Sequence, residues 1–264
     1  MTGLELPLLT IVLLIAASGL AGWVDSIVGG GGLIQLPSLL IGLPADTPVP
    51  TVAGTNKLPS SMGTAVAVVT YLRKVRIPWA ALVPLVAFSY LGSSLGAQLT
   101  HHLDRAAFTP LVLGAIVGVG WYTWRRPHLG LKHEVKHTGW RGVAWLAGIG
   151  LVVGLWDGFI GPGTGSFFLI LIVAVMGFDF LTSTALAKIA NLTTNVAAIV
   201  VFGLSGNILW GLGAAMGIAN LTGGFLGATM ALKHGNGFVR KVFLVVIVAL
   251  GLKLTWDMVA PLFA

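Results

Sequence analysis

The chain contains no cysteine, which excludes disulfides, thiolate nucleophiles and thiolate metal sites. It is nearly as poor in charge. Only 9% of its 264 residues are Asp, Glu, Lys or Arg, where a soluble domain carries roughly 25%. Acidic groups are scarcest, 8 Asp and Glu against 15 Lys and Arg. No Lys or Arg precedes the first apolar run, so a cleaved leader with its basic start is not expected, and residues 8–28 read as a retained membrane segment. What fills the chain instead is hydrophobic, 56% of residues, with a mean hydropathy of +0.95. That composition belongs to an integral membrane protein, with length for about ten segments of roughly 20 residues.

The apolar runs cover 8–28, 33–43, 52–72, 77–99 and 107–124, then 142–160, 166–177, 182–204, 208–232 and 239–262. They do not alternate in polarity as barrel strands do, so all are expected to be helices. Eight are long enough to span. The runs 33–43 and 166–177 are short, about 16–18 Å as helices, and each follows a glycine-rich break. The expected fold is an all-α polytopic membrane protein with about eight to ten transmembrane helices and two short broken segments.

Those breaks are the most distinctive stretches. From Asp25 to Pro37 the chain reads D-S-I-V-G-G-G-G-L-I-Q-L-P, and from Asp157 to Ser166 it reads D-G-F-I-G-P-G-T-G-S. Asp157 follows Asp25 by 132 residues, and Gly161 follows Gly29 by the same interval. The offset then becomes 131 and holds: Lys57 with Lys188, Ile77 with Ile208, Trp79 with Trp210, Gly92 with Gly223, Gly96 with Gly227. A constant register over this distance indicates internal duplication. The halves are residues 1–124 and 142–264, joined by a basic linker, 125–141.

Basic residues cluster at Arg73, Lys74 and Arg76, at Arg125, Arg126, Lys132, Lys136 and Arg141, and at Lys233, Arg240 and Lys241. The intervening loops offer only Arg105. The positive-inside rule places the three clusters in the cytoplasm and both termini outside it. Run 52–72 then points inward and its counterpart 182–204 outward, so the two five-segment repeats are inverted. The positive charge is a topology signal, and no nucleic-acid site is expected.

Asp25, Asp157, Lys57 and Lys188 lie deep in apolar sequence, where ionisable groups face a cavity or one another. Ala53, Lys57, Ser60 and Thr64 share a helix face by spacing, as do Thr184, Lys188, Asn191 and Asn195. These stripes should point inward. The lysines either attract a ligand or only pair with the aspartates; inverted symmetry suggests the cross pairs Lys57 with Asp157 and Lys188 with Asp25. The breaks suit an anion, because a helix start presents free N–H groups and the positive end of its dipole. The candidate binding residues are Gly29, Gly30, Gly31, Gly32, Leu33, Asn56 and Lys57 from the first half. The second half adds Gly161, Gly163, Thr164, Gly165, Ser166, Lys188, Asn191 and Asn195. Asp25 and Asp157 would orient the lysines or carry a coupling proton.

The stretches D-S-I-V-G-G-G-G-L at 25–33, G-T-N-K-L at 54–58, D-G-F-I-G-P-G-T-G-S-F at 157–167 and A-K-I-A-N at 187–191 carry a resemblance. The chain resembles the sulfite exporter TauE/SafE family of membrane permeases over nearly its whole length, departing at the insertion-like P-A-D-T-P-V-P-T of 44–51. The resemblance implies a bacterial inner-membrane protein that moves small anions, sulfite or organosulfonates among them. No cofactor is expected; the partners are a small anion and the bilayer, and self-association is left open.

Two enzyme-like motifs compete. His133-Glu134-Val135-Lys136-His137 fits H-E-x-x-H, which would make a membrane metalloprotease, but it sits in the short linker between Gly130 and Gly139. Gly92-Ser93-Ser94-Leu95-Gly96 fits G-x-S-x-G, yet its counterpart is Gly223-Gly224-Phe225-Leu226-Gly227. The halves share G-x-x-x-G, a close-packing face between membrane helices. His101 and His102 are expected at an interfacial helix end. A structural or assembly role without transport is the remaining alternative.

Overall fold

The computed structural model describes residues 6–102 and 134–259, and among these it is all-helical. Helix α1, Leu8–Val28, starts after Pro7 and stops at Gly29, whose φ of 82° turns the chain left-handed while its N–H caps Asp25 O. Helix α2 is the short Gly32–Gly42, and α3 runs over Val49–Leu72 after Pro48. Helix α4, Trp79–Leu99, follows Pro78 and ends in a 3₁₀ turn, Thr100–His102.

After Thr138 comes α5, Gly139–Phe159, which ends before Gly161 and Gly163, both at positive φ (94° and 80°). Helix α6, Thr164–Leu171, widens into a π turn, Ile172–Met176, and stops at Gly177. Helix α7, Phe180–Leu204, is capped by Asp179, which accepts from Thr182 N–H at 3.0 Å. The last stretch, α8, spans Trp210–Val259 and breaks at Gly235 (φ 73°, ψ −166°). That break falls between the two apolar runs read from the sequence. The run 107–124 and most of the basic linker lie outside the described residues.

Among the described residues, five helices are long and apolar enough to cross a membrane: Leu8–Val28, Trp79–His102, Gly139–Phe159, Phe180–Leu204 and Trp210–Val239. Helix α3 matches them in length, with 24 residues, but Thr55, Asn56, Lys57, Ser60 and Ser61 dilute its hydropathy. The outer surface is apolar: Leu8, Ile41, Val83, Val152, Leu204 and Ile218 all stand exposed. In water such a surface would be a liability; against lipid it is the solvent-matched face.

Helix α4 lies along α5, and α1 lies along α8. Glycine allows both contacts. A Cβ at Gly92 or Gly96 would overlap the carbonyls of Leu151 and Leu155 on α5. A Cβ at Gly223 or Gly227 would overlap those of Gly19 and Trp23 on α1. The two seams use residues 131 or 132 apart in sequence. They join backbones directly, as the G-x-x-x-G pattern requires.

Two apolar clusters then enclose the centre. One gathers around α6 and α7 (Phe168, Leu169, Ile172, Phe180, Leu186), the other around α2 (Leu33, Leu36, Leu39) with Leu14, Val52 and Met216.

Candidate functional site

The two chain breaks meet at the centre. The Gly29 backbone touches that of Gly165 with no side chain between them, so a Cβ on either would collide with the other. Ser166 fastens this contact: its N–H donates to Gly29 O and its hydroxyl to Val28 O, both at 3.1 Å. Gly32 lies over Pro162. Each break is also braced from its own side. Trp156 donates through Nε1 to Pro162 O at 3.0 Å and meets Phe167 edge-on. On the other side Asn220 donates from Nδ2 to Gln35 Oε1 and to Ser18 O, both at 2.9 Å.

Lysines from the flanking helices reach this centre. Lys57 Nζ on α3 stands 2.7 Å from Asp157 Oδ2 and donates to the Asp157 backbone oxygen at 2.8 Å. Lys188 Nζ on α7 stands 2.8 Å from Asp25 Oδ2. These are the cross-half pairs. Both lysines are buried, at 3% and 1% exposure, which only charge pairing makes tolerable. Asp25 has further donors at longer range: Thr64 Oγ1 at 3.3 Å to Oδ2 and the Gly31 N–H at 3.3 Å to Oδ1.

Between the pairs is a small polar cavity lined by Asp25, Gly29, Gly32, Asn56, Lys57, Ser60, Asp157, Gly161, Gly163, Thr164, Gly165, Asn191 and Asn195. The space open to the centre of a water-sized sphere is about 20 Å³, room for a water or two. Asn56 Oδ1 and Asn195 Nδ2 are buried at its edge without a hydrogen-bond partner. Buried polar atoms are rarely left so, which makes them the groups a polar ligand would satisfy. Of the first-turn N–H groups at the two breaks, Gly31 is taken by Asp25 and Ser166 by Gly29; Gly32, Thr164 and Gly165 line the cavity.

Most of the residues singled out from sequence therefore converge here. Others take different places. Leu33 is core, packed in the cluster around α2. Gly30 and Gly31 stand outside the lining, Gly31 against Asp25. Ser166 holds the break contact, and the Thr164 hydroxyl donates to Gly161 O at 2.6 Å, so neither hydroxyl is free for a ligand. Thr184 bonds back to Phe180 O, and Ala53 belongs to an apolar cluster. The sequence reading did not use Gln35 or Asn220. The signal for Gln35 was present, an amide alone in the apolar run that follows the four glycines.

The linker motif has no zinc-protease geometry in its described part. H-E-x-x-H works because a helix puts both histidines on one face. Residues 134–138 are instead non-helical, with Glu134 N–H donating to Gly177 O and Lys136 N–H to Met176 O; His133 lies outside the described residues. Among the described residues no group of three His, Asp or Glu side chains could hold a metal. The G-x-S-x-G glycines are consumed by the α4–α5 seam, and Ser93 donates to Thr194 O. His101 and His102 are exposed at the end of α4.

The family model for the sulfite exporter TauE/SafE matches residues 14–254. The chain belongs to the TauE/SafE family. Its relatives include a Sinorhizobium protein named "Probable membrane transporter protein ORF9", 32% identical over 94% of both chains. A Haemophilus influenzae "Probable membrane transporter protein" is 32% identical over 94% of this chain and 95% of its own. The Escherichia coli "Probable membrane transporter protein YfcA" is 31% identical over 95% and 91%. No solved structure matches. A TauE/SafE member with this many apolar helices is a multi-pass integral membrane protein, and its family and relatives make it a membrane transporter.

Proposed function

We propose that this protein is a secondary transporter of small anions, sulfite or organosulfonates in the first instance, in a bacterial inner membrane with both chain termini non-cytoplasmic. The observation that carries the anion reading is the centre itself. A buried lysine, the unpartnered Asn195 amide nitrogen and helix starts at two glycine breaks line one small cavity, with a second buried lysine paired to one of its carboxylates. Transporter sites are built in this way, from discontinuous helices at a repeat interface.

Binding would draw on Lys57 for charge, on Asn56, Asn191 and Asn195 for hydrogen bonds, and on the breaks for backbone donors, with Lys188 paired to Asp25 outside the cavity lining. Asp25 and Asp157 orient the lysines and can carry a coupling proton, since protonating a carboxylate frees its lysine. The present cavity is too tight for more than a few atoms, so loading requires the halves to part. Alternating access by one inverted repeat rocking against the other supplies that motion. The recurrence of both glycine seams at the same sequence offset supports the repeat reading.

The test is direct. Purified protein in nanodiscs is screened by thermal shift against sulfite, sulfate, methanesulfonate and acetate. Saturable stabilisation by the sulfur oxyanions is expected; none by any of the four would remove the anion reading and favour a structural role.

A further inference from the structure

The two lysine–aspartate pairs are related by the sequence repeat, yet they are not equivalent. Asp25 is tied by three groups: Lys188, the Thr64 hydroxyl and the Gly31 N–H. Among the described residues, Asp157 receives only Lys57 of such partners. The position 131 residues after Thr64 is Asn195, and where Thr64 donates to its carboxylate, Asn195 Nδ2 donates to nothing. The repeat mate of Asn56 is Ala187, so this amide has no counterpart at the equivalent position of the other half.

Access differs as well. Lys57 and Asp157 both line the cavity, whereas on the other side only Asp25, at 14% side-chain exposure, lines it and Lys188 does not. An arriving anion finds a lysine beside the carboxylate on the Lys57 side, but on the other side only the Asp25 carboxylate. An ammonium has three donors, and Lys57 directs its known contacts to a single residue, through the Asp157 carboxylate and backbone oxygens. Gly161 keeps its flank clear, since a Cβ there would stand 3.3 Å from Lys57 Nζ.

Resting on the anion-carrier reading, we infer that the substrate is held off-centre: Lys57 and Asn195 contact the anion, while Lys188 with Asp25 is a fixed strut that orders the first glycine break. The charged groups lining the cavity or pairing into it are Lys57, Asp157, Asp25 and Lys188, so replacing each pair as a unit leaves no unpaired charge behind.

The experiment compares Lys57→Met/Asp157→Asn with Lys188→Met/Asp25→Asn, and Asn195→Ala with Thr64→Ala, in nanodiscs. Sulfite and methanesulfonate are the probes, and thermal unfolding is read on the same samples. The Lys57 pair variant should lose about ten- to a hundredfold in affinity and Asn195→Ala about tenfold. The Lys188 pair variant and Thr64→Ala should bind within about threefold of the parent while unfolding earlier. Equal losses in both pair variants, or the larger loss in the Lys188 pair, would overturn the off-centre site and leave the carrier reading standing. Failure of the unaltered protein to bind either probe would remove both. Should the Lys188 pair variant not fold, the Asn195→Ala and Thr64→Ala comparison decides: equal affinities there overturn the inference.

Discussion

A lysine ammonium inside a membrane protein is stable only while a counter-charge stays beside it, and both lysines here meet that condition at under 3 Å. Stability and binding therefore respond differently to substitution. Lys57→Met alone strands Asp157, and breaking a buried pair from one side costs about 3–5 kcal/mol; thermal unfolding of the purified variant should show it. Adding Asp157→Asn should return most of that stability, because an apolar and an amide group replace two charges. A Lys57→Met variant that unfolds like the parent would mean that the pair contributes nothing to the fold.

Sequence alone reached these four residues, because a charge in an apolar run has few reasons to exist. It could not show where the Thr164 and Ser166 hydroxyls donate. A hydroxyl beside a helix start looks the same whether it serves a ligand or a neighbouring carbonyl, and Ser166 serves one in the other half of the chain.

Helices in this protein approach by glycine, and different glycines do different work. Gly96 and Gly227 are seam positions. Gly96→Leu and Gly227→Leu should each lower the yield of folded protein measured by size-exclusion chromatography, since the new side chain pushes apart backbones already in contact. Ser94→Ala on the same helix should keep parental yield and parental anion binding. Gly29 and Gly206 both hold positive φ, 82° and 70°, but only Gly29 is crowded. Gly206→Ala should cost about 1–2 kcal/mol from backbone strain alone, whereas Gly29→Ala must also displace Gly165 and should yield little folded protein. Comparable expression of the two would argue that the central contact is dispensable.

The helix limits were legible where proline or glycine marks them, as at Pro7, Pro78 and Gly177. The break at Gly235 was legible as the gap between two apolar runs, 208–232 and 239–262. The extended course of 134–138 was not legible, because it depends on the Met176 and Gly177 carbonyls, distant in sequence.

At the level of the whole molecule the orientation rests on loop charge. Reporter fusions after Arg76 and within the 125–141 linker should read cytoplasmic, and fusions after Ser205 and at the C-terminus should read non-cytoplasmic. A C-terminus on the same side as the linker would be incompatible with inverted halves. The matching offset of the motifs was readable in the sequence. The lopsided treatment of the two aspartates was not, because Thr64 and Asn195 differ by a few atoms in sequence and by a hydrogen bond in space.

One further consequence lies in the bare contact of Gly29 with Gly165. Interlocked side chains must hop between rotamers before packed segments can shift, and here there are none to hop. The two breaks meet as a plain bearing, and at this contact the bonds that resist sliding, beside the two cross-half ion pairs, are those of Ser166 to Val28 and Gly29. At about 0.5–1.5 kcal/mol each, these bonds act as a light latch. A latch of that strength holds a resting position against idle jostling, yet yields to a free energy of about 1–3 kcal/mol.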